Sequence, residues 1–327
     1  MRAVALNLWT RALHNGYFLR EPRPSAMVVG LPSADRCAGP SRVDMSAMAD
    51  VATVRGWYAQ EVRYAAAVKS QAIVRAFATV PRERFLGPGP WLIGTGSGSN
   101  KYWSTEDADP RCVYHNVVIG MLPEKGLNNG QPGLWAHLFD QLHLGLHKRV
   151  LHLGCGAGYY SAILAEIVGP LGRVIAVDRE LVLVARAIDA LAPWPQATAL
   201  AADAATYLPE AVDIIVASAG ATHPLPQWLD ILPPGGQLLL PLTGERQWGQ
   251  TLLVTRDNVH GFAARFTGYV GIYDFAGVRD GQSAARLDAA IRRGDMASVK
   301  SLRRDAHAED ESCWLHAADV CLSRLTL

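Results

Sequence analysis

Three glycines at alternate positions form the part of the sequence best suited to hold a ligand. Gly154, Gly156 and Gly158 follow an apolar run at 150–153 that predicts a short buried strand, and residues 159–168 predict a helix. Glycine lets the backbone turn sharply and approach a ligand, and the start of a helix presents free N–H groups. The spacing is G-x-G-x-G, whereas a pyrophosphate at a helix start is bound by G-x-G-x-x-G. The spacing therefore favours a nucleoside that carries an amino acid, such as S-adenosylmethionine; the alternative is an ordinary turn between a strand and a helix.

Polar residues follow the next predicted strands. The strand at 172–178 ends in Asp178, at a distance along the chain that suits hydrogen bonds from both ribose hydroxyls. The strand at 199–204 ends in Asp203 and Ala204, which suit the adenine edge, and the strand at 212–218 ends in Ser218. Ligands of parallel α/β sheets bind at the carboxyl ends of the strands, so we expect these residues to share one site with the glycine turn.

These patterns together resemble the protein-L-isoaspartate O-methyltransferase family of class I S-adenosylmethionine-dependent methyltransferases. Residues 149–160 resemble its first motif, 80–85 its N-terminal signature, 126–132 its active-site loop and 233–236 the turn after its core. The resemblance covers residues 80–277, about three-fifths of the chain. It implies an α/β fold with a Rossmann-like, seven-stranded methyltransferase sheet and helices on both faces, S-adenosylmethionine as cofactor, and methyl transfer to a carboxylate of a protein or peptide.

The resemblance also implies which residues form the site. The active-site loop at 126–132, which we call the acceptor loop, supplies the catalytic positions Asn129, Gly130 and Gln131. The cofactor-binding residues are expected to be His152, Gly154, Cys155, Gly156, Gly158, Tyr159, Asp178, Asp203, Ala204 and Ser218, together with Asn128 and Trp135. The family carries a serine where this chain has Gly130. Loss of that hydroxyl removes a hydrogen bond worth about 1 kcal/mol and leaves room for a different acceptor.

The chemistry of such a site needs no strong base. A carboxylate is ionised at neutral pH because its reference pKa is about 4, so the protein has to supply proximity and alignment. An alcohol or an amine as acceptor would need a base. His137, His152 and His223 are the nearest candidates for that role, and each is more often a structural residue.

Composition excludes several classes of protein. The chain has 327 residues, half of them apolar, and a formal net charge of +1. This charge gives no electrostatic footprint for nucleic acid or an anionic membrane. No apolar run reaches about 18 residues, so we predict no transmembrane helix. The five cysteines are scattered and lack metal-ligand spacing, which predicts no metal site and a reduced, cytoplasmic setting. The oligomeric state is left open.

The chain divides into four predicted regions. Residues 1–44 read as a disordered extension, with a targeting peptide as the alternative, and Met45 or Met48 as a candidate start of translation. In residues 45–125 we predict N-terminal helices and a substrate-side loop. The helices either form a cap over the cofactor or simply pack against the core. In the loop, Trp91 and Trp103 either anchor the loop or face the substrate. Residues 126–277 predict the S-adenosylmethionine-binding core, with antiparallel strands at 251–256, 262–266 and 269–273 that complete the sheet. Residues 278–327 predict a C-terminal extension with a helix at 283–304 and a last strand at 314–322.

Three functions remain open at this point. The first is a carboxyl methyltransferase that acts on a protein or peptide, with an isoaspartyl residue as acceptor. The second is a relative retuned to a modified peptide or a small molecule, which the substitution at Gly130 favours. The third is a catalytically silent protein that binds the cofactor as a structural ligand or not at all. A nucleotide-dependent dehydrogenase is disfavoured by the glycine spacing.

Overall fold

A computed structural model of the protein describes residues 49–94, 102–257, 261–317 and 319–326. The predicted extension at 1–44, both candidate start methionines and part of the glycine-rich loop lie outside these ranges. The helices are α1 Val51–Ala65, α2 Gln71–Thr79, α3 Pro132–Phe139, α4 Tyr159–Val168, α5 Leu181–Ala190, α6 Pro226–Asp230 and α7 Gly281–Arg293. The strands β1 to β4 are Leu92–Gly94, Trp103–Ser104, Val118–Leu122 and Leu127–Asn128, and they form a small antiparallel sheet.

A second, larger sheet is the centre of the fold. Its strands β5 to β9 are Arg149–Leu153, Arg173–Asp178, Ala197–Ala201, Ile214–Ala217 and Gln237–Thr243, and β10 to β14 are Trp248–Arg256, Phe262–Gly271, Ser301–Arg303, Cys313–His316 and Cys321–Ser323. The spatial order is β13-β14-β12-β11-β10-β9-β8-β5-β6-β7. Strands β7, β6, β5, β8 and β9 are parallel, and the remaining strands are antiparallel. The predicted α/β fold is thereby confirmed.

Seven neighbouring strands of this ten-stranded sheet, β5 to β11, form the predicted seven-stranded methyltransferase sheet. The additional strands come from the C-terminal extension, in which Gly294 has φ +81° and ends α7. The helix predicted over 283–304 is therefore too long at its C-terminal end, and the chain continues into β12. Strand β12 pairs with the outer edge of β11, whose backbone groups would otherwise lack partners within the sheet. The predicted last strand is a hairpin of β13 and β14.

The two strands predicted at 262–266 and 269–273 are one strand, β11. Thr251 of β10 pairs with Gly268, but the next residue, Leu252, pairs with Phe266. One residue of β11 is therefore extra at this point, which is a β-bulge. The sequence pattern loses its alternation there, because the bulge changes which face the side chains occupy.

Alternate residues of the central strands pack into two apolar layers, one on each face of the sheet. Val150, Val174 and Val216 contribute to the layer covered by α1 to α5. Leu151 and Ile175 contribute to the opposite layer, which α6 and α7 cover. Strands that are buried on both faces are typical of parallel sheets with helices on both sides.

The N-terminal helices pack against the helices behind the glycine turn. The hydroxyls of Tyr58 in α1 and Tyr159 in α4 form a hydrogen bond of 3.1 Å. The ring of Phe77 in α2 packs edge-on against the Tyr159 ring, with the ring centroids 6.2 Å apart. The carboxylate of Asp140, just after α3, accepts hydrogen bonds from the backbone N–H groups of Lys69 and Ser70 at the start of α2. These contacts position α4, which carries residues of the site described below.

A buried arginine ties the N-terminal region to the acceptor loop. Arg82 has no exposed surface. Its guanidinium donates to the carbonyl oxygens of Val113, His115 and Val117 at 2.7–2.9 Å and to Oδ1 of Asn129 at 3.3 Å. Because a buried charge needs such partners, this arrangement fixes the course of residues 113–117 against Asn129. In the part of the chain that the structure describes, no helix is long and apolar enough to cross a membrane.

Candidate functional site

A cleft of about 960 Å³ opens at the carboxyl ends of β5, β6 and β8. Every site residue predicted from the sequence lines it except Gly158. The described residues of α1 and α2 do not line it. The cap over the cofactor and the simple packing helices both stay predictions.

The glycine turn lets the backbone itself form one wall of the cleft. Gly154 and Gly156 have φ values of +75° and +56°, which side chains strongly disfavour. The N–H groups of Gly154 and Cys155 both donate to the carbonyl oxygen of Val177 at the end of β6, at 2.8 and 3.1 Å. A Cβ atom at Gly156 would meet nothing within 4 Å, so this residue faces open space. A ligand can therefore lie directly against the turn.

Gly158 lies at the start of α4, outside the residues that line the cleft. Its φ is +89°, and it is the residue that precedes α4. A Cβ atom here would lie 3.2 Å from Cβ of Ala187 and 3.3 Å from Cδ1 of Leu191. Gly158 therefore allows α4 to begin close to the end of α5, and it does not line the cleft.

The carboxylate of Asp178 is held at the glycine turn. Its Oδ2 accepts the N–H of Gly156 at 2.7 Å, and its Oδ1 accepts the N–H of Glu180 at 2.9 Å. Each carboxylate oxygen can accept a second hydrogen bond, so both remain able to receive a ribose hydroxyl. This cradle of bare backbone and a fixed carboxylate fits the adenosyl part of S-adenosylmethionine.

Asp203 and Ala204 lie on the adjacent wall of the cleft, just beyond β7. Oδ1 of Asp203 accepts the N–H of Ala205 at 2.9 Å, which fixes the carboxylate, while the residue as a whole is exposed. A carboxylate in this position can accept a hydrogen bond from an exocyclic amine, as the adenine edge requires.

His152 is a neutral, fully engaged residue. Its ring nitrogens pair with the hydroxyls of Ser161 and Ser218, both at 2.8 Å, so that β5, α4 and β8 are joined through one side chain. Burial lowers the pKa of His152 to about 3. The residue lines the cleft but offers no free nitrogen to a substrate. His137 and His223 do not line the cleft.

Cys155 and Tyr159 form the apolar floor near the turn. Burial raises the pKa of the Cys155 thiol, which keeps it protonated, and the thiol donates to the carbonyl oxygen of Gly156 at 3.5 Å. The Tyr159 hydroxyl is occupied by Tyr58, and its ring packs on Phe85 with centroids 5.7 Å apart. Both residues can therefore make van der Waals contacts with a ligand, because their polar atoms already have hydrogen-bond partners.

The acceptor loop is held by hydrogen bonds on both sides of Gly130. Its N–H donates to Oδ1 of Asn128 at 2.8 Å, and its carbonyl oxygen accepts from the hydroxyl of Tyr160 at 3.1 Å. The carbonyl of Asn128 also accepts the hydroxyl of Tyr273. Gln131 precedes α3, and its side chain donates to the carbonyl oxygen of Asn116 at 3.2 Å.

Asn129 has a side-chain amide that is only partly hydrogen-bonded. Its Oδ1 accepts from the N–H of Ile119 at 2.9 Å and from Arg82. Its Nδ2 is buried and has no partner among the described residues. Asn129 lines the cleft, but its Nδ2 is buried, so its side chain would have to move before this amide could donate to an acceptor.

Trp135 occupies the space next to Gly130. A Cβ atom at Gly130 would lie 2.4 Å from Nε1 of Trp135, and the φ of Gly130 is +72°. Trp135 is buried and packs against Tyr160, with ring centroids 5.5 Å apart. A serine at position 130, as in the family, would therefore collide with the indole ring of Trp135 in its present position.

Several residues of the site were not found from the sequence. Tyr160 and Tyr273 bind the acceptor loop, and Arg82 fixes Asn129. Arg82 lies inside the signature at 80–85 and Tyr160 directly follows the glycine turn, so position could have indicated both. Tyr273 comes from a distant strand end, and no local pattern marks it.

The two tryptophans of the substrate-side loop differ. Trp91 is buried, and its Nε1 donates to the carbonyl oxygen of Gly87 at 3.0 Å, so it anchors the loop. Trp103 is 54% exposed and does not line the cleft. The outer rim of the cleft instead carries Trp248 and Tyr269, which are 56% and 68% exposed.

Comparisons with known proteins agree with this geometry. The family model for protein-L-isoaspartate(D-aspartate) O-methyltransferase matches residues 107–270. The chain belongs to this family. The protein-L-isoaspartate O-methyltransferase of Methanopyrus kandleri is 36% identical over 195 residues, which cover 58% of this chain and 76% of the relative. The enzyme of the same name from Methanothrix thermoacetophila is 34% identical over 193 residues, or 58% and 80% of the two chains.

Solved structures support the fold. One protein-L-isoaspartate O-methyltransferase superposes with a TM-score of 0.52 at 19% identity, over 74% of this chain and 70% of the other. A β-aspartate methyltransferase from Plasmodium falciparum, in complex with S-adenosyl-L-homocysteine, superposes with a TM-score of 0.53 at 14% identity, over 68% and 97%. As a member of this family the chain is an S-adenosylmethionine-dependent methyltransferase.

Substitution of Asp178 tests the cradle. Asp178→Asn replaces one acceptor oxygen by a donor, so the N–H of either Gly156 or Glu180 loses its acceptor, and one ribose hydroxyl loses an acceptor as well. Hydrogen bonds to charged groups are worth about 1.5–3 kcal/mol, and we expect the Kd for S-adenosylhomocysteine in calorimetry to rise about 10- to 100-fold. The matched control is Asp189→Asn, an exposed carboxylate on α5, which should bind as wild type does. Equal affinities of all three proteins would contradict the assignment.

The neutral state of His152 predicts a pH dependence. Its folded-state pKa of about 3 lies below the ordinary value of 6.5, so the unfolded chain takes up the proton first as the pH falls. The associated stability is complete above about pH 6.5 and is lost toward pH 3, by up to about 1.4 kcal/mol per pH unit. We expect the free energy of unfolding of His152→Gln, from denaturant titrations, to fall less steeply between pH 6.5 and 5. The exposed His143→Gln is the control, and a wild-type slope in His152→Gln would refute this account.

Proposed function

We propose that the protein transfers a methyl group from S-adenosylmethionine to a carboxylate of a protein or peptide. The observation that carries this proposal is the state of His152, whose two ring nitrogens are both paired and whose pKa is about 3. An alcohol or amine acceptor would need a base that works near neutral pH, and a carboxylate would not. No other histidine lines the cleft among the described residues.

The cofactor, when bound, supplies a methyl group on a positively charged sulfur that is itself a good leaving group. The protein's contribution is then to align an acceptor oxygen with that methyl group and to exclude water, which can be worth roughly 7–11 kcal/mol. Asp178 and the glycine turn fix the adenosyl end. Asn129 lines the same cleft, and its side chain, which Arg82 and the N–H of Ile119 hold in place, shapes the part of the cleft that we assign to the acceptor.

A macromolecular acceptor suits the rim of the cleft. Trp248 and Tyr269 are more than half exposed and lie beside the opening, where aromatic side chains provide contact area to a peptide. Trp248 packs over Gly271, where a Cβ atom would lie 3.2 Å from its ring, so its position is supported by the strand beneath it. These contacts favour a peptide segment over a small metabolite.

A second candidate is a related acceptor that differs from isoaspartate. The observation that favours it is the indole of Trp135, which fills the volume that a serine at position 130 would need. The first-choice acceptor remains the isoaspartyl carboxylate, because the relatives of this chain carry that name. The two candidates share the cofactor site and differ only in the contacts around Gly130.

A direct assay separates these candidates. The full-length protein is incubated with methyl-labelled S-adenosylmethionine and an isoaspartyl peptide, with the aspartyl peptide of the same sequence as the control. We expect base-labile methyl ester on the isoaspartyl peptide, and at least a tenfold lower rate with Asn129→Ala. Cofactor binding without any ester would reject this acceptor and favour the second candidate. Absence of binding as well would reject the proposal as a whole.

Restoring the serine tests the role of the Trp135 indole. Gly130→Ser should lower turnover of any accepted peptide about tenfold or more, because its Cβ collides with the indole and its φ is positive. Gly126→Ser is the matched control. Gly126 also has a positive φ, +70°, but a Cβ atom there would meet nothing within 4 Å, so this variant has the backbone strain without the collision. A gain of isoaspartyl turnover in Gly130→Ser would contradict the competition for volume.

The location of the protein stays a prediction. Cys112, Cys155, Cys313 and Cys321 are free thiols, which agrees with a reducing compartment such as the cytoplasm. We likewise predict no nucleic-acid or membrane partner, because the formal net charge is only +1.

A further inference from the structure

Two cysteines and two histidines meet in the C-terminal extension, on strands that the cofactor cleft does not use. His307, Cys313, His316 and Cys321 each direct one ligand atom to a common point, and these atoms all lie within 4.8 Å of one another. Both cysteines are buried, and both histidines are half-buried. We propose that these four residues bind one zinc ion. The sequence predicted no metal site because that interpretation followed the spacing of the cysteines and left the histidines out.

The distances suit a tetrahedral ion. Sγ of Cys313 lies 3.6 Å from Nε2 of His307 and 3.8 Å from Nδ1 of His316. Zinc binds sulfur at about 2.3 Å and imidazole nitrogen at about 2.0–2.1 Å, so tetrahedral angles place sulfur and nitrogen about 3.6 Å apart. Two of the six ligand-to-ligand distances are thus already close to those of a tetrahedral zinc site, and all four ligand atoms lie within 4.8 Å of one another.

The fold brings the ligands together from three segments. Cys313 and His316 belong to β13, and Cys321 belongs to β14, directly opposite His316 in the register. Residues three apart on a regular strand point to opposite faces, but the pairing of β13 shifts between Cys313 and Leu315. This irregularity turns Cys313 and His316 to the same side. His307 enters from the segment between β12 and β13.

Neighbouring groups orient the ligands as a metal requires. Nδ1 of His307 lies 2.8 Å from the carbonyl oxygen of Asp305 and donates to it, which leaves the lone pair on Nε2 directed at the cluster. Metal-binding histidines usually make such a second hydrogen bond. The backbone N–H of Asp310 donates to Sγ of Cys313 at 3.5 Å, a contact that stabilises a thiolate. On binding, each thiol releases its proton and donates a sulfur electron pair to the ion.

The donor set determines the kind of site. Two sulfurs and two imidazoles in tetrahedral array select zinc among the common divalent ions. Four protein ligands leave no open position, which is the pattern of a structural site. The ion would tie the loop before β13 to a hairpin of short strands at the edge of the sheet, where strands β12 to β14 have only three or four residues each.

Metal analysis tests this proposal on the full-length protein. The protein is purified under reducing conditions without added chelator, and its zinc is measured by mass spectrometry. We expect about one zinc per chain in wild type and in the control variant Cys112→Ser, and less than a fifth of that in Cys313→Ser and Cys321→Ser. His307→Asn removes the ligand that lies outside the strands, so it should lose zinc even if the cysteine variants fold poorly.

A second measurement uses metal replacement. After chelation, addition of cobalt alone should give the visible absorption of a tetrahedral cobalt–thiolate site in wild type, and none in His307→Asn. Chelation should also lower the Tm of wild type and leave that of His307→Asn unchanged. Metal-free wild type that takes up no cobalt, or a disulfide between Cys313 and Cys321 in the protein as purified, would overturn the proposal. Binding of S-adenosylhomocysteine should survive in His307→Asn, which separates this site from the methyltransferase cleft.

Discussion

The carboxylate of Asp178 accepts the backbone N–H of Gly156 at 2.7 Å, and this contact joins the end of β6 to the turn after β5. The turn also donates two N–H groups to the carbonyl oxygen of Val177, so the two strand ends form one rigid edge. Because glycine leaves no side chain in the way, the same contact that shapes the turn sets the carboxylate beside open space. Cofactor binding and local folding therefore depend on one arrangement of backbone and carboxylate.

The acceptor side depends on side chains that are packed behind it. Arg82 holds Asn129 by its oxygen, which leaves the amide nitrogen buried and unpaired at the cleft. Tyr160 holds the carbonyl of Gly130, and Trp135 fills the space beside that residue. The glycine at position 130, where the resemblance implies a serine, leaves the volume that the Trp135 indole occupies.

The sequence predicted the parts of this structure that short patterns encode. The glycine turn, the acid at Asp178 and the parallel strands follow from local spacing and buried runs, and all lie where expected. Gly158 was assigned to the ligand because its spacing matches, but helix packing against Ala187 explains it. The short edge strand β12 and the Cys/His cluster were missed because each joins segments that no local period connects.

A crystal structure of the full-length protein with S-adenosylhomocysteine tests the central claim most directly. The account predicts ribose oxygens within about 3.2 Å of both oxygens of Asp178, the amino-acid part along the glycine turn and the adenine beside Asp203. A ligand bound elsewhere, or a ribose that makes no contact with Asp178, would contradict it.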